Sequence, residues 1–301
     1  MEEKRFDFFK KPPDKARRRE IEGHLESRHA CLSGGSIGSS ILGEPLRYYR
    51  VGNGQRMLLY VGAHHGMEWI TALLLYRFVD DLARTIERGA EPPLPPSCSL
   101  LVLPMLNPDG VEIELHGAAA GGPLAERLQR QNGGSTDFSH WQANARGVDL
   151  NHNYDAGFAA YRVKEREACI LGGAPTRYSG EYPFSEPETA ALGALLAAWR
   201  PAAILTLHSQ GEEIFYHPVK PPIERAQEIG DRLARLTGYR LGEADGMAAY
   251  GGMSDYAAEV LRLPAYTVEC GLGQNPLPIK DARAIYRRLR RALFWLPTFI
   301  S

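Results

Sequence analysis

The run His64-His65-Gly66-Met67-Glu68-Trp69 puts two imidazoles and a carboxylate into a very short stretch of chain. His65 and Glu68 are three apart, so on one helical turn they share a side. His64 and Glu68 are four apart and would share a face too, so spacing alone leaves open which histidine partners Glu68. Two candidates for company lie far downstream: His208, at the end of the apolar run Ala203–Leu207, and Glu269, at the end of Ala265–Val268. Two histidines and one carboxylate with an open fourth position is how catalytic zinc is held, and a further glutamate can serve as acid and base. The chemistry within reach of this set is hydrolysis by a zinc-activated water. The H-x-x-E tetrapeptide alone carries little, because a charged helix start looks the same.

The elements around these residues give the set its weight. Met57–Val61 is a short apolar run that reads as a buried strand, followed by Gly62 and the histidine pair. Trp69 to Leu82 then carries a helical pattern of apolar residues. Strands are also expected at Leu46–Val51, Leu100–Met105, Ala203–Leu207 and Ala265–Val268. His65, His208 and Glu269 thus all follow the carboxyl ends of strands, where open α/β sheets bind ligands. Ser185-Glu186-Pro187-Glu188 reads as a capping box opening a helix through Trp199, with Pro201 ending it. Ile223–Thr237 and Ala282–Leu296 read as further helices, the last with Arg287, Arg288, Arg290 and Arg291 as a solvated face. Ser36–Gly43 is turn-rich, Gly89–Ser97 a proline-rich connection, and Gly117–Phe138 a polar, glycine-rich surface excursion. Alternating strands and helices predict a three-layer α/β sandwich around a twisted, mixed, mostly parallel sheet. Residues 1–35 read as a charged, helical N-terminal extension and residues 36–301 as the catalytic domain.

The chain of 301 residues is long enough for a substantial core, with 44% apolar and 24% charged residues. A net charge of −1 argues against a general nucleic-acid or anionic-membrane binder. Met1–Arg19 has no apolar core of signal-peptide type, and no run is long enough to span a bilayer, so a cytoplasmic protein is expected. Cys31, Cys98, Cys169 and Cys270 are scattered, as free thiols in a reducing compartment would be; Cys270 reads as a small apolar filler.

Over residues 36 to 295 the sequence resembles the zinc carboxypeptidase family of metallopeptidases. His65-Gly66-Met67-Glu68-Trp69-Ile70 is similar to that family's first zinc-ligand motif, and His208 in Leu207-His208-Ser209-Gln210 to its third ligand. Asn107-Pro108-Asp109-Gly110, Gly147-Val148-Asp149-Leu150-Asn151 and Pro183–Thr189 match family segments in the family order. The resemblance implies one zinc ion on His65, Glu68 and His208, with Glu269 as general base, and leaves His64 as a neighbour. It implies binding of a substrate carboxylate or amide by Asn151 and His152, with Asp149 orienting a ligand. Ordinary carboxypeptidases continue the Asp-x-Asn element with an arginine that clamps the terminal α-carboxylate, whereas Asn151 is followed by His152. Histidine is shorter, single-pronged and only partly charged near neutrality. The tyrosine that closes over substrates in that family is missing at its place: ungapped placement puts Met247 there, with Tyr250 nearby as a candidate substrate-binding residue. Arg146, which precedes the Asp149-x-Asn151 element, is the candidate cation for the oxyanion, although the family's usual arginine after a tryptophan corresponds most simply to Gln142 after Trp141.

Gly147–Gly157 and Gly271–Ile279, the latter with Asn275-Pro276-Leu277-Pro278 at its core, are similar to the bacterial γ-D-glutamyl-diaminopimelate peptidases, which lack the clamping arginine as well. That resemblance implies a small murein peptide as substrate, cut between the γ-carboxyl of D-glutamate and meso-diaminopimelate. The alternatives are an ordinary metallocarboxypeptidase releasing C-terminal L-residues, an N-acyl amino acid deacylase, or a zinc-lacking peptide-binding relative. Arg127, Arg130, His116, His140 and His217 carry no motif and read as surface or structural residues. Oligomeric state is not encoded in any of these features.

Overall fold

A computed structural model describes residues 6–89, 94–242 and 250–300. Its elements run α1 (Lys15–Arg28), β1 (Leu32–Ser39), β2 (Pro45–Val51), β3 (Arg56–Gly62), α2 (Ile70–Glu87), β4 (Cys98–Leu103), α3 (Pro108–His116), α4 (Ala125–Gln131), α5 (Phe158–Glu167), α6 (Pro187–Trp199), β5 (Ala203–His208), β6 (Glu213–Tyr216), α7 (Ala226–Thr237), β7 (Arg240–Gly242), α8 (Met253–Glu259), β8 (Ala265–Glu269) and α9 (Ala282–Phe299). The strands form one sheet in the order β1-β2-β4-β3-β5-β8-β6-β7. The four central strands β4, β3, β5 and β8 are mutually parallel; β1 and β2 at one edge and β6 beside β8 pair antiparallel.

Strands buried on both faces read as nearly continuous apolar runs, and β3, β4 and β5 do, with buried Ser99 and Thr206 as polar residues within β4 and β5. The period of two then sorts their side chains into two cores. Leu58, Tyr60, Leu100, Val102, Leu205 and Leu207 pack against α2, α7 and α9. Leu59, Val61, Leu101, Leu103 and Ile204 face the other way, onto α6 and α8. The result is the expected three-layer sandwich. Helix α9 shows why its arginines need no membrane: Ile285, Tyr286, Leu289, Leu293 and Leu296 are buried at helical spacing, and Arg287, Arg288, Arg290 and Arg291 face outward. No helix among the described residues is long and apolar enough to cross a membrane.

Four local readings change. The turn-rich Ser36–Gly43 stretch begins inside β1, whose glycines and serines hide a strand held by pairing with β2. The 117–138 excursion contains α4, a run of good helix formers between glycine-rich flanks. Ser185 does not cap α6; its hydroxyl donates to Glu186 and accepts from Asn153, and Glu186 occupies the cap position. Ile223–Ala226 lies mostly outside α7, which starts at Ala226. The boundary at 35/36 falls within β1, and Ile21 and Leu25 of α1 sit in the same core as α2 and α9.

Candidate metal centre

Three strand ends converge on one point. β3 ends at Gly62, Ala63 takes a positive φ of 44°, and the chain turns into a single 3-10 turn, Gly66–Glu68, preceded by His65. The turn is fixed from several sides. Thr71 Oγ1 accepts from Ala63 N and donates to Glu68 O, both at 2.8 Å. Gly66 N and Met67 N donate to the carbonyls of Gln142 and Trp141. Gly66 has no alternative here, because a Cβ would lie 2.4 Å from Gly110 O and 2.7 Å from Trp141 O. The Asn107–Gly110 motif earns its place similarly. Asn107 Oδ1 caps α3 through Gly110 N, and Nδ2 donates to the carbonyls of His64, Gln142 and Ala143.

His65 Nδ1 lies 2.8 Å from Glu68 Oε1, and His208 Nδ1 lies 3.0 Å from Glu68 Oε2. These three residues can each offer one ligand atom within 4.8 Å of the others, and all three are buried. His65 Nε2 meets Asp149 Oδ1 at 3.1 Å. Ionised Asp149 only accepts, so Nε2 carries the hydrogen and Nδ1 turns its lone pair towards Glu68. A lone pair facing a carboxylate oxygen at that distance needs a positive species between them, a proton or a metal cation. The donor set of two imidazole nitrogens and a carboxylate suits zinc, so the residues fit the ion that the sequence implies. His208 Nε2 is buried with no partner among the described residues.

The electrostatics separate the acids. Burial opposes ionisation of Glu68, but His65 and His208 outweigh it and hold the carboxyl below its ordinary range. Burial likewise opposes ionisation of Asp149, yet the adjacent His65 holds that carboxyl far down. Glu269 is the contrary case: burial first, then the Glu68 charge, push its carboxyl up. A bound divalent cation would draw it down again. Glu269 pairs in register with His208 on the neighbouring strand, and Cys270 N donates to His208 O. His64 is fully buried and turned away from the cluster, its Nε2 3.3 Å from Tyr154 OH and its ring stacked on His208 at 5.1 Å. Burial, with His208 and His65 nearby, keeps it neutral, so the open question of spacing resolves in favour of His65.

A cavity of about 670 Å³ opens over the cluster and includes Asn151, His152, Gln142, Arg177 and Glu269 in its wall. A second cavity, about 660 Å³, shares Asn151 and Glu269 and extends to Ser254, Asp255, His217 and Arg240. Asn151 Oδ1 accepts from Met253 N. The His152 ring stacks on Tyr161 at 4.1 Å, with Nδ1 2.8 Å from Tyr250 O. Tyr250 contributes to neither wall; its ring packs beside Gly157. Arg146 points elsewhere, its guanidinium 3.7 Å from Glu186. Met247 lies outside the described residues.

Sequence reading missed Arg177 and Asn275. Asn275 clamps the residue after His208, donating to Ser209 O at 2.6 Å and accepting from Ser209 Oγ at 2.8 Å. Its place in the Asn-Pro-Leu-Pro stretch was a signal; Arg177 had none. His217, read as structural, lines the second cavity and pairs with Glu259 and Asp255.

The zinc carboxypeptidase family profile matches residues 23–297. The chain belongs to the zinc carboxypeptidase family. Among similar proteins, the γ-D-glutamyl-L-diamino acid endopeptidase 1 of Lysinibacillus sphaericus is 32% identical over 271 residues, covering 87% of this chain and 66% of that one. The murein peptide amidase A of Escherichia coli K12 is 31% identical over 137 residues, 42% of this chain and 50% of that one. The chain therefore spans just under two thirds of the first relative's length and half of the second's. Bovine thrombin-activatable fibrinolysis inhibitor, solved with a tick carboxypeptidase inhibitor, has the same fold: TM-score 0.71 at 18% identity, over 98% of this chain and 99% of that one.

Proposed function

We propose that this enzyme hydrolyses the γ-D-glutamyl–meso-diaminopimelate bond of small murein peptides, using one zinc ion on His65, Glu68 and His208 and Glu269 as general base. The observation that carries the reading is the convergence of His65 Nδ1, Glu68 and His208 Nδ1 at the floor of a cavity that Glu269 also lines. The names of the two sequence relatives support the substrate class.

Zinc, when bound, would lower the pKa of water towards about 7 and polarise the scissile carbonyl. Glu269 accepts the proton that water releases as its oxygen bonds to the carbonyl carbon. The same carboxyl then gives that proton to the departing nitrogen as the C–N bond breaks, leaving a free γ-carboxylate and a free amine. Asp149 holds the His65 ring and its tautomer. Asn151 and His152 bind the carboxylate or amide of the leaving amino acid beside the second cavity. There Asp255 and Arg240 offer both signs of charge to a zwitterionic side chain. Arg146, tied to Glu186, would act on the site only by supporting its loop. Four free thiols are in keeping with a reducing, cytoplasmic place of action.

The test is product analysis by mass spectrometry with zinc-loaded protein on L-Ala-γ-D-Glu-meso-diaminopimelate and a matched L-peptide. Chelator-sensitive release of diaminopimelate from the first alone is the expected result. Release of the C-terminal residue from the L-peptide instead would make the enzyme an ordinary metallocarboxypeptidase.

A further inference from the structure

Arg177 is the one arginine or lysine, among the described residues, on the wall of the cavity above the metal cluster. Its backbone is held on several sides. Arg177 N donates to Asp149 Oδ2 at 3.1 Å, the carboxylate whose other oxygen meets His65. Arg177 O accepts from Tyr161 OH at 2.9 Å. Two residues back, Pro175 O accepts from Gln142 N and Ala143 N, and Gln142 O accepts from Gly66 N of the metal turn. The residue sits at φ 65°, a left-handed conformation that an arginine adopts at a cost. The residue is exposed, and its guanidinium makes no ion pair among the described residues. The backbone is thus fixed relative to the metal ligands while the charge is left free for something outside the chain.

Resting on the proposed γ-D-glutamyl reading, we infer that Arg177 binds the free α-carboxylate of the D-glutamyl residue on the acyl side of the scissile bond. Two observations choose that partner. An oxyanion donor must be desolvated and aimed before reaction, whereas an exposed fork on a long stem suits a permanent carboxylate taken up bidentately. Arg177 also lines only the cavity shared with Met67 and Gln142, and not the second cavity behind Glu269 that would take the leaving amino acid. A γ-linked glutamyl residue is unusual among peptides in carrying a full negative charge a short flexible arm from the carbonyl under attack. A lone cation at this place gives the enzyme a means of telling a γ-link from an α-link.

The experiment compares two substrates on three proteins. The substrates are L-Ala-γ-D-Glu-meso-diaminopimelate and the same peptide with the glutamyl α-carboxylate converted to its amide. The proteins are wild type, Arg177→Gln and Arg177→Lys, each checked for zinc content and melting temperature. The wild type should prefer the free acid by about 10- to 100-fold in kcat/KM, the worth of a hydrogen bond to a charged group. Arg177→Gln should lose that preference by slowing on the acid alone, with the amide unchanged, and Arg177→Lys should restore part of it. An equal fall on both substrates would make Arg177 a structural residue and overturn the assignment, as would a preference that survives in Arg177→Gln. If neither substrate is cut by wild type while an ordinary L-peptide is, the γ-D-glutamyl reading itself falls, an outcome distinct from either of those.

Discussion

Glu68 and Glu188 are both glutamates with almost no exposed surface, 3% and 0%, and the fold treats them in opposite ways. Glu68 faces two imidazoles and the Ser209 amide, which together outweigh its burial and keep it ionised. Glu188, at the start of α6, accepts from its own amide, from Ile41 N and, at 3.4 Å, from Asn144 Nδ2, with Asp109 and Glu186 as acidic neighbours. Burial first, and those acids next, push its carboxyl up to about 8. Depth alone therefore does not mark a working acid; what distinguishes Glu68 is that the chain spends several buried donors on keeping a charge there.

The comparison breaks most visibly at the metal. His208→Ala removes one of the three donors, and the purified protein should lose zinc in elemental analysis. Its turnover should fall by at least about a thousandfold, because the catalysed rate depends on the ion. Retention of stoichiometric zinc would remove His208 from the ligand set. Glu269→Gln should be next: zinc content unchanged, kcat down by about 10²- to 10⁴-fold, the range for loss of a general base. Near-normal hydrolysis by that variant would reassign the base. Asp149→Asn keeps the shape but weakens the grip on His65, so zinc affinity in a chelator competition should drop by about 10- to 100-fold.

The smallest effect on activity belongs to Glu188→Gln, which should leave zinc content and kcat as they were. Its signature lies in stability. An unfolded glutamate ionises near 4.5, whereas this one stays protonated in the fold to about 8. The unfolded state therefore sheds its proton first. Wild-type stability should decline as pH rises from about 4.5 to about 8, with no further loss from this group above that. The glutamine variant should show a flatter melting temperature over the same window, followed by calorimetry at several pH values. A parallel decline in both proteins would mean that Glu188 is ionised in the fold after all.

Much of the centre was legible because its residues sit at the ends of strands that announce themselves. Met57–Val61, Ala203–Leu207 and Ala265–Val268 are short, mostly apolar runs of the kind that an interior strand of a covered sheet requires; His208 and Glu269 follow theirs directly, and His65 comes four residues after Val61. Arg177 was not legible, because its loop has no periodicity and reaches the cavity only through tertiary hydrogen bonds to Asp149 and Tyr161. The same holds for β1, where Leu32–Ser39 is too rich in glycine and serine to read as a strand until β2 lies beside it. Arg146 shows the converse error of proximity: it precedes the Asp149-x-Asn151 element in sequence, yet its side chain turns to Glu186.

His208 and Glu269 are register partners on adjacent parallel strands in the interior of the sheet. The gap between one metal donor and the group that would move protons is therefore set by the hydrogen-bond ladder itself, with no loop in between. Surface segments can fray, lengthen or be rewritten by evolution without altering that gap. On warming, the specificity conferred by loop residues should blur before the two groups part, and the capacity to break the bond should disappear only together with the sheet.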